Sequence, residues 1–242
     1  MQTETRDRRP HAAELKFLVT PDVGDAVRTW AREHLTADPH GTGVHGDAYS
    51  TTTLYTDTPD QDVYRRKGSY GRSKYRVRRY GVSDVAFLER KLRTRPLLSK
   101  RRSIVPFTEL ARLDAGLTDL GDWPGLWFAT RLAARRLSPV CQVTYDRTAR
   151  VTSTPYGLAR LTVDAHLCAR TAEGWRFQSP EYMPVLTDQH IVELKFLVAM
   201  PAIFKRLVET FGLAPMTVSK YRLSIAGLGL APAITTTAAE VA

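Results

Sequence analysis

Charged residues occupy every second position in several short segments that are otherwise apolar. In KYRVRRY, the charges fall on Lys74, Arg76 and Arg78, and Tyr75 and Val77 stand between them. Because successive side chains of a β-strand point to opposite faces, this spacing predicts strands with one charged face and one apolar face. The same spacing recurs at Glu89, Lys91 and Arg93; at Glu14 and Lys16; at Glu193 and Lys195; at Tyr145 and Arg147; at Arg160, Thr162, Asp164 and His166; and at Lys220 and Arg222.

Several strands and few helices are predicted between the ends of the chain. This pattern indicates an α+β protein with a largely antiparallel sheet, folded as one domain over residues 11–230, with disordered ends at 1–10 and 231–242. The predicted strands are Ser50–Tyr55, Ser73–Tyr80, Val85–Arg93, Val140–Thr148, Leu158–His166, His190–Val198 and Val218–Ile225. The predicted helices are Val23–His34, Phe107–Ala115, Gly125–Arg136 and Pro201–Phe211.

The hexapeptide ELKFLV occurs twice, at Glu14–Val19 and at Glu193–Val198. Each copy is followed by a segment with a proline near its start and apolar residues at helical spacing. The repeat predicts a strand followed by a helix near each end of the domain.

Two interpretations fit a charged sheet face. Period-two charge usually marks a solvated face. Here, however, the rows are mostly arginine and lysine, and so many cations on one surface repel each other unless an anion neutralises them. If the sheet closes, the charged face lines a basic lumen and the apolar face packs against helices. We therefore expect a closed antiparallel β barrel that forms a cationic tunnel.

The charge of the chain also calls for an anionic partner. The net charge is +10, and Arg65–Arg102 holds fifteen Lys and Arg residues against two acids, Asp84 and Glu89. Arginine forks bind phosphate oxygens bidentately and lysines add point charges, so a run of phosphates is a suitable ligand. Carboxylates on the same face, at Glu14, Glu89 and Glu193, are predicted to pair with lysines or to hold Mg²⁺ or Mn²⁺ beside a phosphate.

Other classes of protein are not indicated. No stretch approaches the roughly 20 apolar residues of a membrane span, and the first residues lack the apolar core of a secretory signal, so we expect a cytoplasmic protein without its own membrane span. Cys141 and Cys168 form no metal-binding or disulfide pattern. Neither a P-loop nor a set of kinase motifs is present.

In their order and spacing, the motifs resemble those of the triphosphate tunnel metalloenzymes, and within them the VTC domain of polyphosphate polymerases. The resemblance covers nearly all of the chain from residue 11 to residue 230. The motifs are the two copies of ELKF, LYTDTPDQDVYRR, KYRVRRYG, FLERKLR, SKRR, VTYDR, RLTVD and SKYRLSI. One departure is Ala12, which stands where many tunnel enzymes have the first glutamate of ExExK and so favours the polymerase branch.

This resemblance implies an eight-stranded tunnel that binds ATP and inorganic polyphosphate and depends on Mn²⁺ or Mg²⁺. The implied reaction transfers the γ-phosphoryl group of ATP to a polyphosphate chain and releases ADP. Glu193 is implied as the metal ligand, with Glu14 beside it. The implied substrate-binding residues are Lys16, Arg76, Arg78, Lys91, Lys100, Arg147, Arg160, Lys195 and Lys220.

Three alternatives stay open. The same tunnel could hydrolyse tripolyphosphate or a nucleoside triphosphate, with water in place of the phosphate acceptor. It could also bind polyphosphate without catalysis. A protein that only binds anions, however, gains nothing from carboxylates placed beside the phosphates. A nucleic-acid-binding protein is disfavoured, because such proteins interleave stacking aromatics with basic residues, and Tyr70, Tyr75 and Tyr80 alternate faces on a strand.

Overall fold

The computed structural model describes residues 4–10, 12–94, 97–114, 120–178 and 181–231. The strands are β1 (Glu4–Pro10), β2 (Ala12–Val19), β3 (Thr36–Ala37), β4 (Ala48–Asp57), β5 (Ser73–Tyr80), β6 (Val85–Thr94), β7 (Leu97–Pro106), β8 (Ser138–Thr154), β9 (Gly157–Thr171), β10 (Met183–Leu186) and β11 (His190–Leu197). The α-helices are α1 (Pro21–His34), α2 (Leu126–Ala134), α3 (Ala202–Thr210) and α4 (Lys220–Gly227), and two 3-10 helices are η1 (Gly68–Gly71) and η2 (Phe107–Asp114).

Hydrogen-bonded neighbours follow the order β1-β7-β6-β5-β4-β8-β9-β11-β2, with β10 paired to β9 and β3 to β8. The pairs β4–β5, β5–β6, β6–β7, β9–β11, β3–β8 and β2–β11 are antiparallel. The predicted α+β class with a largely antiparallel sheet is therefore confirmed. The closed eight-stranded barrel is not confirmed, because the sheet of the described residues has eleven strands and its path begins at β1 and ends at β2 without closing.

Most predicted elements are present, and β5 has the predicted bounds, but one prediction is wrong. Val218–Ile225 is not a strand, because residues 220–227 form α4. The Ser219 side chain accepts a hydrogen bond from the backbone N–H of Arg222, as an N-cap does. Tyr221, Ser224 and Ile225 are buried. Their spacing of three and four residues forms one helical face, and this spacing outweighs the alternation of Lys220 and Arg222.

The ends of the chain also differ from the expectation. Residues 4–10, which we expected to lack regular structure, form β1 at one end of the strand path. The predicted tail at 231–242 lies outside the described residues except for its first residue. The limits of a single domain at residues 11 and 230 remain a prediction. None of the helices in the described part of the chain combines the length and the hydrophobicity of a membrane span.

The chain forms two compact units, each built from three separate segments. Unit 1 comprises residues 1–9, 51–144 and 169–183, and unit 2 comprises residues 10–50, 145–168 and 184–242. In unit 1 the apolar face of β5 and β6, with Val77 and Leu88 fully buried, is part of the core. Phe128 of α2 contacts Tyr75 of β5 and Trp175, with ring centroids 5.9 and 6.3 Å apart. The opposite face of these strands is the charged one.

The core of unit 2 lies between the apolar faces of β2, β9 and β11 and the helices α1 and α3. Its buried members include Phe17, Val27, Leu161, Leu194 and Phe204. Helix α1 begins with Pro21 after Thr20, whose side chain accepts a hydrogen bond from the backbone of Val23. The strand and helix predicted after each ELKFLV repeat are both present, and both helices cover the same apolar face.

The two ELKFLV repeats pair with each other. In the antiparallel register of β2 and β11, Leu15 stands opposite Leu194, Glu14 opposite Lys195 and Lys16 opposite Glu193. Each glutamate therefore faces the lysine of the other copy, which places four charged side chains together on one face of the sheet.

Candidate phosphate and metal sites

Several charged side chains of the strands are buried, which contradicts the interpretation of an ordinary solvated face. The exposed fractions are 1% for Glu89, 5% for Arg78, 6% for Arg147, 2% for Asp164 and 5% for Glu193. Charged side chains of these types are almost never fully buried unless they are paired. The partners of these residues therefore define the candidate sites.

In unit 1, the carboxylate of Glu89 on β6 lies among basic side chains from the two flanking strands, β5 and β7. Arg76 donates from Nε to Oε2 at 2.8 Å, and Arg102 donates from Nε to Oε1 at 2.7 Å. The Nζ of Lys100 lies 2.9 Å from Oε1. Arg76 and Arg102 are the direct cross-strand neighbours of Glu89, on β5 and β7 respectively. We call Glu89, Arg76, Arg78, Lys100 and Arg102 the Glu89 cluster.

The pKa values in the Glu89 cluster indicate a strongly positive environment. Burial raises the pKa of Glu89, but Arg76, Arg78, Lys100 and Arg102 outweigh it and hold this pKa well below its usual range. Burial lowers the pKa of Lys100 to about 8, although Glu89 opposes the shift. Burial also raises the pKa of Tyr80, but the guanidinium groups nearby, with Arg78 the largest contribution, bring it down to about 7.

The Glu89 cluster carries a net charge of +3, counted as four cations and one carboxylate. Buried cations in excess of their counter-ions are stabilised when an anion binds among them. The forks of Arg76 and Arg102 can each offer two parallel N–H donors to a phosphate group. The cluster is therefore a candidate phosphate site.

In unit 2, the paired repeats form a second cluster, which we call the repeat cluster: Glu14, Lys16, Glu193 and Lys195. Lys16 Nζ lies 2.9 Å from Glu14 Oε1 and 3.7 Å from Glu193 Oε2. Lys195 contacts the other oxygen of Glu193. Burial and the nearby carboxylate of Glu14 raise the pKa of Glu193. Lys195 and Lys16 have the larger effect and hold this pKa below its usual value. The Glu193 carboxylate is therefore ionised at neutral pH.

A buried ion triad lies in the same unit. Arg147 donates from Nε to Asp164 Oδ1 at 2.6 Å and from Nη2 to Oδ2 at 2.7 Å. Lys220, at the start of α4, has its Nζ 2.5 Å from Asp164 Oδ2. Burial opposes the charge of Asp164, but both cations hold its pKa well below the usual range.

Two of the predicted site residues lie apart from these contacts. Arg160 stands opposite Lys195 in the register of β9 and β11, but its guanidinium Nε lies 3.0 Å from Asp38 Oδ2 and its Nη2 donates to Tyr49 at 2.6 Å. Lys91 of β6 stands between Lys74 of β5 and Lys100 of β7. It therefore extends the row of cations next to the Glu89 cluster.

The repeat cluster supplies part of the coordination shell of a divalent metal. Within the described ranges, no group of three or more His, Cys, Asp and Glu residues is arranged to hold a metal ion. Mg²⁺ is commonly bound by one or two protein carboxylates, and substrate phosphates and water complete its shell. Glu14 and Glu193, which both contact Lys16, supply two such carboxylates. The residues present therefore fit a metal that arrives with a phosphate ligand.

The structure thus distributes the predicted residues over the two units. Arg76, Arg78 and Lys100 surround Glu89 in unit 1, whereas unit 2 holds the repeat cluster and the Asp164 triad. The sequence had pointed to Glu89 as a carboxylate that pairs with lysine or holds a metal, but it had not placed Glu89, Arg102 or Asp164 among the implied substrate-binding and metal-binding residues. The alternating pattern could have identified the two carboxylates. Glu89 lies two residues from Lys91, and Asp164 lies two residues from Thr162, on strands predicted to have a charged face.

A mainly antiparallel sheet that carries arginine and lysine around buried carboxylates agrees with the resemblance of the motifs to the triphosphate tunnel metalloenzymes. The sequence profile of the VTC domain matches residues 11–228. The chain belongs to the VTC domain family, as its motifs predicted.

Three solved structures are similar to this chain, and the first of them supports the fold. The "putative adenylate cyclase" bh2851 from Bacillus halodurans superposes with a TM-score of 0.54 and 13% sequence identity, over 88% of this chain and 95% of that one. HpAC1 from Hippeastrum has a TM-score of 0.46 and 12% identity, over 89% of this chain and 95% of that one. The PH1819 protein from Pyrococcus horikoshii has a TM-score of 0.45 and 13% identity, over 84% and 92%. A search of curated protein sequences finds no match.

Proposed function

We propose that the chain is a metal-dependent polyphosphate polymerase. It transfers the γ-phosphoryl group of ATP to the end of an inorganic polyphosphate chain and releases ADP. In the transfer, the bond between the γ-phosphorus and the bridging oxygen to the β-phosphate breaks, and a terminal oxygen of the polyphosphate forms the new P–O bond. Membership of the VTC domain family and the two clusters support this proposal.

The Glu89 cluster is the observation that carries the proposal. Four cations share one buried carboxylate there, and Arg76 and Arg102 present their guanidinium groups from neighbouring strands. Phosphoryl transfer needs little covalent chemistry from the protein, because its rate depends on alignment and on neutralising the phosphate oxygens. Cations held in place by Glu89 act without rearranging during the reaction.

The repeat cluster has a different charge balance and is assigned a different role. Its two carboxylates and two ammonium groups sum to zero, so it has no excess charge to bind a phosphate alone. Glu193 and Glu14 would hold a divalent metal, which would supply positive charge to offset the negative charge of the phosphate oxygens. Lys16 contacts both carboxylates and Lys195 contacts Glu193, and the two lysines hold the pKa of Glu193 below its usual value.

The proposed function includes particular substrate-binding residues, a metal, a tunnel and a location in the cell. The substrate-binding residues would be Lys16, Arg76, Arg78, Lys91, Lys100, Arg147, Arg160, Lys195 and Lys220, with Mn²⁺ or Mg²⁺ as the metal. A closed, eight-stranded tunnel around ATP and polyphosphate, and a location in the cytoplasm, are likewise proposed.

The testing experiment incubates the purified protein with ATP and Mn²⁺ or Mg²⁺ and follows ADP, free phosphate and polyphosphate together. A polymerase produces ADP and polyphosphate with little free phosphate. Stoichiometric free phosphate would identify a triphosphatase instead, and polyphosphate binding without turnover would identify a binding module. Either result would overturn the proposed reaction.

Two matched variants make the assay specific to the site. Glu193→Gln removes one carboxylate charge of the repeat cluster, and Glu209→Gln removes one from the exposed surface of α3. We expect synthesis to be lost in the first variant and retained in the second. Equal activity in both variants would show that Glu193 takes no part in polyphosphate synthesis.

A further inference from the structure

Exposed cations are concentrated on one surface of unit 1, beside the start of β5. Arg135 holds this surface together, because its Nη1 and Nη2 each lie 3.2 Å from Ser69 Oγ of η1 and its carbonyl accepts a hydrogen bond from Tyr70 at 3.2 Å. Arg131 lies on α2, four residues before Arg135, which directly follows the last residue of this helix. We call the following set the basic surface: Arg65, Arg66, Lys67, Arg72, Arg131, Arg135 and Arg136.

The basic surface has few acidic neighbours. Residues 63–83 and 123–145 contain no aspartate or glutamate in the sequence. Asp62 lies at its border, with Oδ1 3.6 Å from Lys67 Nζ. Asp57 and Asp60 precede Asp62 in the same segment, and the Asp57 carboxylate accepts hydrogen bonds from the backbone N–H groups of Val63 and Tyr64. Seven cations against these three acids leave an excess of positive charge, which attracts a polyanion.

This surface continues into the Glu89 cluster along one sheet face. The backbone N–H of Arg93 donates to the carbonyl of Arg72 at 2.8 Å, and the antiparallel register then pairs Lys74 with Lys91. The next row on the same face pairs Arg76 with Glu89. Successive rows on one face are about 6.6 Å apart, because a strand rises about 3.3 Å per residue. Cations therefore follow one another from the basic surface to the candidate phosphate site.

We propose that the basic surface is a second binding site for polyphosphate, which holds the part of a long chain that extends beyond the Glu89 cluster. This inference rests on the proposed function. A linear chain of phosphates carries charge at regular intervals, and a continuous series of cations on one sheet face matches it. A short anion such as tripolyphosphate occupies the Glu89 cluster without reaching the basic surface.

The aromatic residues of this region argue for polyphosphate and against nucleic acid. Single-stranded nucleic acids bind by stacking bases on accessible aromatic rings. One face of Tyr70 is covered by Arg135, whose guanidinium carbon lies 4.1 Å from the ring centroid. Tyr75 is buried against Phe128, and Tyr80 packs edge-on against Phe87 at 5.2 Å. The surface therefore offers cations rather than stacking platforms.

The test measures the affinity of the full chain for long-chain polyphosphate and for tripolyphosphate by calorimetry. The variant is the triple substitution Lys67→Gln, Arg131→Gln and Arg136→Gln, all at exposed positions. Each exposed ion contact contributes a factor of about 1.4 to 5 in affinity, so we expect affinity for the long chain to fall at least about threefold. Affinity for tripolyphosphate stays within a factor of about two.

The matched control is the triple substitution Arg176→Gln, Lys205→Gln and Arg206→Gln, which removes the same charge from exposed positions elsewhere. Equal weakening in the control would show an effect of net charge alone and would overturn the inference. If the first triple variant binds long-chain polyphosphate and tripolyphosphate with equally reduced affinity, the basic surface is not a separate site.

Two further outcomes are decisive. If the unmodified chain binds tripolyphosphate and long chains with equal affinity, the second site is absent while the proposed function stands. If it binds neither, the proposed function fails as well. Tighter binding of single-stranded RNA than of long-chain polyphosphate at the same salt concentration, lost in the first triple variant, would assign the surface to nucleic acid and overturn the inference.

Discussion

Arg147 and Asp164 form a two-bond fork in unit 2, with N–O distances of 2.6 and 2.7 Å between β8 and β9. Lys220 of α4 completes the triad, and its Nζ lies 4.8 Å from the ring centroid of Tyr145. Because these groups are removed from water, their charges must be neutralised inside the protein. The triad thereby ties the start of α4 to the sheet.

We predict that Asp164→Asn destabilises the protein by about 3–5 kcal/mol, because Arg147 and Lys220 then remain buried without their counter-ion. Urea unfolding measures this change. Asp146→Asn is the matched control, since the side chain of Asp146 is exposed where it contacts His166. The control should stay within about 0.5 kcal/mol of the unmodified chain.

Acid sensitivity follows from the same carboxylate. The pKa of Asp164 is lower in the folded state than in the unfolded chain. Its contribution to stability is therefore complete above the unfolded pKa of about 3.9. It is lost as pH falls through the lower pKa of the folded state. We expect the stability of the unmodified chain to fall with pH below about 4 and to depend less on pH in Asp164→Asn. Identical pH profiles of the free energy of unfolding would contradict this.

A second prediction concerns the counter-ion of the Glu89 cluster. Glu89→Gln removes the acceptor charge of Arg76, Lys100 and Arg102, so we expect a loss of about 3–5 kcal/mol in stability. The same change makes the cluster more positive, and tripolyphosphate should therefore raise the melting temperature more in the variant than in the unmodified chain. Thermal unfolding with and without tripolyphosphate measures both effects.

The control for Glu89→Gln is Glu173→Gln, which alters a largely exposed carboxylate beside Arg170. It should change neither the melting temperature nor its response to tripolyphosphate. A smaller response in Glu89→Gln than in the control would mean that the cluster does not bind phosphate.

A third prediction uses the lowered pKa of Lys100. With a pKa of about 8, its ammonium group loses its proton between about pH 7 and pH 9, and the cluster loses one positive charge. Tyr80, with a pKa of about 7, gains negative charge over a similar range. Both changes should weaken tripolyphosphate binding as pH rises. In Lys100→Arg the guanidinium stays charged, so the decline should be smaller.

Comparison of Lys100→Arg with the unmodified chain cancels the ionisation of the ligand itself. Calorimetry at a series of pH values gives the two profiles. Tyr80→Phe separates the contribution of the phenol from that of the lysine. If binding declines equally with pH in the unmodified chain, Lys100→Arg and Tyr80→Phe, neither side chain causes the pH dependence of binding.

A fourth prediction concerns the metal. If Glu14 and Glu193 hold a divalent ion beside phosphate, Mn²⁺ should tighten tripolyphosphate binding in the unmodified chain. Glu193→Gln and Glu14→Gln should each lose most of this enhancement, whereas Glu33→Gln, at an exposed position of α1, should keep it. Calorimetric titrations with and without Mn²⁺ measure the effect. Full enhancement in both site variants would place the metal elsewhere.

Much of the secondary structure could be predicted from periodicity. The bounds of β5 agree because Tyr75 and Val77 alternate with Lys74, Arg76 and Arg78 over the whole strand. Strand β7 was not predicted, although SKRR lies within it, because consecutive cations show no alternation. Helix α4 was misassigned for the opposite reason, since Lys220 and Arg222 alternate by chance in a helix whose buried face follows another period.

The sequence by itself determined the mainly antiparallel α+β class, the family, and the set of charged positions on one sheet face. It did so because strand alternation and repeated motifs are local properties of the chain. Only the tertiary structure decided which charges meet. Pairing of the repeats places Glu14 and Glu193 on Lys16, and the register of β5, β6 and β7 surrounds Glu89 with cations. Such contacts depend on strand register and on burial, which join residues far apart in the chain.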